Sequence, residues 1–133
     1  MELRMIGTVS SPLADREAAP KQGDEGAPEA IIDIDADFER ALQGIGAGDE
    51  VLVLTWLDRA DRDVLSTHPR DDPSRPEVGV FATRSPDRPN PIGLHRVHVV
   101  AIDGSRLRVE RLEAIDGTPV LDIKPILGSA GER

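Results

Sequence analysis

Asp103-Gly104 separates two runs, residues 94–103 and 105–112, in which apolar and polar side chains alternate. That alternation has the period of a strand, and Asp-Gly between two such runs marks a hairpin. The rest of the chain is punctuated in the same way. Strand-like runs fall at 3–9, 30–34, 50–57, 64–67, 79–83 and 120–127, with Gly, Pro, Asp or Ser between them. Helical spacing occurs once, in Phe38, Ala41, Leu42 and Ile45, with Asp35 or Asp37 placed to cap the helix and Gly44, Gly46 and Gly48 to end it. Residues 50–57 are near-continuously apolar, which predicts a strand covered on both faces. No strand–helix–strand alternation appears. The class is therefore mostly β: one domain over residues 1–133, a compact barrel of about seven strands with one or two short helices. Closure is how short strands avoid exposed edges.

Two segments carry no period. Residues 11–30 mix Pro, Gly, Ala and charge, and such a long connection in a small domain is expected to be mobile or to cover a ligand. Residues 128–133 are expected to fray. A third segment, residues 79–93, is different in kind. Pro86, Pro89 and Pro91 fix their own φ and restrict Ser85, Arg88 and Asn90 before them. The loop thus holds Arg84 and Arg88 on a stiff scaffold with little entropy left to lose on binding.

Composition closes several routes. There is no cysteine, so no disulfide, thiolate nucleophile or Cys-based zinc site. The three aromatic residues, Phe38, Trp56 and Phe81, cannot build a platform for stacking several bases. A net charge of −9 opposes tight non-specific nucleic-acid binding, although residues 59–111 alone carry more arginine than acid. No apolar run is long enough for a membrane span or a secretory leader, and the chain reads as cytoplasmic.

His95 and His98 are three apart, which on a strand puts them on opposite faces, so no metal site is expected. Ser85, His95 and an acid could be imagined as a hydrolytic triad, but no nucleophile elbow surrounds the serine. Gly44, Gly46 and Gly48 follow a helix and precede a strand, the reverse of a dinucleotide fingerprint. The turn Asp116-Gly117-Thr118-Pro119 offers a carboxylate, backbone N–H groups and a hydroxyl; its aspartate either bonds its own turn or faces a ligand. Asp122 and Lys124 share one face of a strand, either as an ion pair towards solvent or as the lining of a polar cavity.

Phe81-Ala82-Thr83-Arg84-Ser85-Pro86-Asp87-Arg88-Pro89-Asn90-Pro91-Ile92-Gly93, followed by Asp116-Gly117-Thr118-Pro119-Val120-Leu121-Asp122-Ile123-Lys124-Pro125, closely resembles the TsaA-like (TrmO) family. Ile6-Gly7-Thr8-Val9-Ser10-Ser11-Pro12 and Ala19-Pro20-Lys21-Gln22 fit the same pattern in the same order. The resemblance implies a β-barrel, dimeric, S-adenosyl-L-methionine-dependent methyltransferase. Its characterised acceptor is the exocyclic nitrogen of threonylcarbamoyl-adenosine beside the tRNA anticodon. Carried over by position, Gln22, Asp58, Arg59, Arg84, Leu94, Asp116, Gly117, Thr118 and Pro119 would hold the cofactor. Arg88, Asn90 and Lys124 would face the substrate, and Asp58, Asp116 and Asp122 are the candidates for a catalytic base.

The chain departs from the family at Asp58-Arg59, where His-Gln is common, and at Ile126, where a tyrosine is common. It also stops before the C-terminal domain of some bacterial members. Methyl transfer to a small metabolite and a non-catalytic cofactor sensor stand as alternatives.

Overall fold

The computed structural model describes residues 1–12 and 29–127. Eight strands follow in order: β1 (Gly7–Ser10), β2 (Ala30–Ile34), β3 (Glu50–Trp56), β4 (Ser66–Thr67), β5 (Val78–Gly79), β6 (Ile92–Asp103), β7 (Arg106–Glu110) and β8 (Pro119–Pro125). Six close into an antiparallel barrel in the order β1-β2-β7-β6-β3-β8, and β4 and β5 form a separate two-stranded ribbon. The mostly-β barrel expected from the turn-punctuated runs is what forms.

Alternation does the sorting. β7 buries Leu107 and Val109 and exposes Arg106, Arg108 and Glu110. Along β2, Ala30, Ile32 and Ile34 face inwards. With few aromatics, the barrel is filled by branched aliphatic residues, among them Val9, Ile32, Val51, Val53, Val97, Val99, Leu107, Val109 and Val120. This suits the narrow bore of a small barrel. A register shift between Val99 and Ala101 against β7, and another between Leu54 and Thr55 against β8, bend the long strands into the curve.

The hairpin between β6 and β7 forms as expected, with Asp103 paired to Arg106 and Gly104 at φ 60° in the turn. The predicted helix is a 3-10 segment, Ala36–Leu42, and Asp35 takes the capping backbone geometry without a side-chain cap. It seats Leu42, Phe38 and Ile45 against one end of the core. Gly44 and Gly48, at φ 100° and 96°, make the turns that return the chain to β3.

Three expectations need correction. Residues 79–83 are not a strand: β5 ends at Gly79, and Val80–Ala82 is a 3-10 turn. The Val80 carbonyl accepts from the Thr83 N–H and hydroxyl and from Arg88, which leaves nothing for a ladder. β3 is not covered on both faces; it alternates, with Leu52, Leu54 and Trp56 half-buried on the outer wall. The first strand begins at Gly7 rather than residue 3. The long connection and the tail expected to be mobile fall largely or wholly outside the described residues.

On the outer wall, basic side chains meet acids across the strands: Arg106–Asp33 at 2.8 Å, Arg108–Glu29 at 3.4 Å and Arg96–Glu50 at 2.7 Å. The hydrogen bond from Arg96 holds the Glu50 carboxyl below its ordinary value. In the ribbon connection, hydrogen bonds from Ser74 do the same for Asp72.

Gly7 sits where a Cβ would collide with the Asp33 carbonyl on the paired strand. Gly46 has open space around it. Gly7→Ala should therefore lower stability by about 1–3 kcal/mol, while Gly46→Ala stays within about 0.5 kcal/mol of the parent. Urea midpoints of the two variants check this.

Candidate functional site

Strand direction brings the chemistry-bearing segments to one rim. The ends of β1, β3 and β7 and the beginnings of β2, β6 and β8 meet there: Ser10 pairs with Ile31, Ala30 with Val109, Trp56 with Ile92, and Pro119 with Thr8. Three connections leave from this rim, residues 11–29, 57–91 and 111–118. The first contains Gln22, which lies outside the described residues. The second contains Asp58, Arg59, Arg84, Arg88 and Asn90, and the third contains Asp116, Gly117 and Thr118.

The 111–118 connection spans from β7 to β8, which are not neighbours, and so crosses the barrel mouth. Leu112, Ala114, Ile115 and Thr118 are buried and plug it. Its far end is tied to β1. The Asp116 carboxylate accepts from the Ser11 N–H at 3.0 Å, Gly117 N–H donates to Val9, and Val9 N–H donates to Thr118. Gly117, at φ 87°, allows the turn. The Thr118 hydroxyl donates to Ile115 at 2.7 Å. Asp116 thus bonds a distant strand end rather than its own turn, and its second oxygen has no partner among the described residues.

The proline-rich loop is braced from both sides. Arg88 turns inwards and donates to the carbonyls of Val80, Thr83 and Ser85 at 2.6, 3.1 and 3.1 Å. On the other side Arg62 donates to the Pro89 carbonyl and to the Asn90 side chain, at 2.8 and 3.1 Å, while its guanidinium lies 5.1 Å from the centre of the Trp56 ring. Asp87 accepts from the Asp61 N–H, and Leu57 N–H donates to Pro91. Against this framework Arg84 is exposed, with no hydrogen bond or ion pair among the described residues. Its chemistry is that of an available guanidinium on a rigid support.

Leu94 lies on the outer wall close to the rim, paired with Leu54 and 44% exposed. Asp58 and Arg59 are exposed just past the end of β3. Asp122 and Lys124 are on the outer wall of β8, opposite Leu54 and Leu52, and form an ion pair at 2.8 Å. Of the two readings of that pair, the surface ion pair is the one present, and Lys124 stands apart from the rim.

Sequence reasoning missed Arg62 and Asp61, which read only as a charged connection. It also missed a buried polar row. Thr55 and His95 share the core-facing parity of Val53 and Val97, and that parity was a readable signal. His95 is partnered by Thr55 and Glu113, not by Ser85. His98 projects to the opposite face, half-buried.

The family model for the tRNA-methyltransferase O N-terminal domain matches residues 8–130. A probable S-adenosyl-L-methionine-binding protein of Archaeoglobus fulgidus is 48% identical over 94% of this chain, which spans 34% of that protein. A probable S-adenosyl-L-methionine-binding protein of Methanothermobacter thermautotrophicus is 42% identical over 94% of this chain and 89% of its own length. The crystal structure of TrmO from Pseudomonas aeruginosa superposes with a TM-score of 0.76 at 29% identity, covering 100% of this chain and 60% of that one. A plug-crossed antiparallel barrel with its motifs on one rim, matched over nearly its whole described length, belongs to the tRNA-methyltransferase O N-terminal domain family.

Proposed function

We propose that this chain binds S-adenosyl-L-methionine at the described rim and acts as a methyltransferase on the exocyclic nitrogen of threonylcarbamoyl-adenosine in tRNA. The observation that carries the reading is the convergence of the Asp116 turn, the braced loop bearing Arg84 and the Asp58-Arg59 segment on one rim. The donor set suits the cofactor. Arg84 offers a fork for its carboxylate. The second oxygen of Asp116, which has no partner among the described residues, suits its amine or ribose hydroxyls. Leu94 offers an apolar face to its purine. When bound, the cofactor supplies a methyl group on an activated sulfonium. The chain's task is alignment, and well-oriented reactants can save about 7–11 kcal/mol of barrier. Asp58 and Asp116, at the rim, fit the role of base better than Asp122, which is ion-paired on the outer wall. In the same reading Gln22, Arg59 and the turn from Gly117 to Pro119 complete the cofactor site, and Arg88 and Asn90 shape the substrate side by fixing the loop.

A second reading, methyl transfer to a small metabolite, is favoured by the outer wall. Arg96, Arg106, Arg108 and Lys124 are each matched by a carboxylate, so that wall offers no basic track for a phosphate backbone. We assign tRNA contact to the rim arginines instead.

We further propose a homodimer. Ile92 and Leu94 are 41% and 44% exposed on the outer wall beside Trp56 and Leu54, and Phe81 is 84% exposed on the 3-10 turn nearby in sequence. A second copy seated on this stripe would cover an apolar face adjoining the rim.

Calorimetry should show S-adenosyl-L-methionine binding that weakens about tenfold or more in Arg84→Ala, from loss of charge-assisted hydrogen bonds of about 1.5–3 kcal/mol. The same variant should fail to pass labelled methyl to bulk tRNA, whereas label entering only the small-molecule fraction would favour the second reading. Light scattering should give a dimer mass for the parent and a monomer mass for Ile92→Asp; a monomeric parent would refute the dimer.

A further inference from the structure

Two buried polar side chains in the aliphatic wall of the barrel, Thr55 and His95, form a row with the half-buried Glu113. Thr55 of β3 is fully buried and its hydroxyl lies 2.7 Å from His95 Nε2 of β6. His95, also buried, places Nδ1 2.7 Å from Glu113 Oε1 in the segment that crosses the mouth. The chemistry sets the direction of the bond to Glu113. An ionised carboxylate only accepts, so Nδ1 carries the proton and donates to Glu113. Nε2 and the Thr55 hydroxyl share the second hydrogen bond, so each polar group of the row has a partner. No buried side-chain polar atom among the described residues lacks a partner.

This order, hydroxyl to imidazole to carboxylate, is that of a hydrolytic triad. It cannot serve as one here, because the hydroxyl is sealed in the core with no surface for a substrate. Simple packing does not require it either. Val51, Val53, Val97 and Val99 fill the same wall with aliphatic groups, and buried polar groups cost free energy unless fully bonded. What hydrogen bonds add over apolar packing is direction.

The row joins the two sides of the proposed cofactor site through the core. Glu113 is three residues before Asp116, on a segment that starts at Arg111 in the left-handed region, φ 69°. His95 is flanked by Gly93 and Leu94, where the braced loop enters β6. Room for the row is made by Gly93, since a Cβ there would collide with the Thr55 hydroxyl and come within 2.7 Å of His95 Nε2.

We propose that Thr55, His95 and Glu113 are a positioning relay that sets the crossing segment, and with it the Asp116 turn, against the Gly93–Leu94 entry of β6. The inference rests on the reading that this rim holds S-adenosyl-L-methionine. None of the three residues touches the cofactor; they act through Asp116 and Leu94.

The test compares S-adenosyl-L-methionine affinity by calorimetry with the thermal midpoint in Glu113→Ala, Glu113→Gln, Thr55→Val, Thr55→Ser and Asp116→Ala. Gln keeps an acceptor for Nδ1–H and Ser keeps the hydroxyl, so these two should bind within about threefold of the parent. Glu113→Ala and Thr55→Val should weaken binding about tenfold. The downfield, slowly exchanging imidazole N–H proton should persist in Glu113→Gln and vanish in Glu113→Ala. The relay is overturned if the conservative variants lose affinity as far as the truncations, in step with the thermal midpoint. It is equally overturned if Glu113→Ala binds like the parent while Asp116→Ala does not. Parent-like binding by Asp116→Ala as well would remove the cofactor-site reading beneath it.

Discussion

β8 hydrogen-bonds along both edges, to β3 through residues 51–55 and to β1 through Gly7 and Thr8. This double pairing turns a five-stranded sheet into a barrel, and the other features follow from it. Closure removes the edges that short strands would expose. It also forces the connection from β7 to β8 to travel across the mouth, because its two strands are not adjacent. That crossing brings Leu112, Ala114 and Ile115 into the core and delivers Asp116 to Ser11 at the end of β1. A flat sheet of the same strands would leave the Asp116 turn and the proline-rich loop without a common rim.

The rim separates rigidity from availability. Arg88 and Arg62 spend their hydrogen bonds on backbone carbonyls and the Asn90 amide, and Arg62 also rests on Trp56. They make the loop a fixed object. Arg84, between them in sequence, is left exposed. The contrast is chemical as well as spatial: three prolines limit what the loop can become, and two inward arginines choose one conformation from what remains. The outer wall follows another rule. Its bases pair with carboxylates, whereas at the rim Arg62 and Arg88 donate to neutral carbonyl groups, and both occur in a chain of net charge −9.

Much of this was legible in the residue order. Alternation and turn residues announced β2, β6, β7 and the barrel class, since a two-residue period has one reading when Asp-Gly sits between the runs. The stiffness of the loop followed from Pro86, Pro89 and Pro91. The 3-10 turn at Val80–Ala82 was not legible, because an apolar run looks like a strand until its carbonyl is claimed by Thr83 and Arg88 from outside the run. Burial on one face of β3 was hidden for the same reason: half-buried Leu52 and Leu54 on a barrel exterior have the composition of a two-sided strand. Glu113 carried no parity at all, as its place over His95 is set by a loop crossing the mouth. Arg62 meets Trp56 and Asn90 only once β3 and β6 have paired. Gln22, taken from the resemblance, lies outside the described residues.

The central claim is that the rim where residues 57–91 and 111–118 meet the end of β1 and the start of β2 is where S-adenosyl-L-methionine binds. The most direct measurement is backbone amide NMR during titration with the cofactor. The account predicts that the large shift changes cluster at residues 84, 93–95 and 116–118, with the opposite barrel end, Ala36–Leu42 and Gly104, unmoved. Saturable changes confined to that opposite end or to the Arg106–Asp33 wall would contradict it.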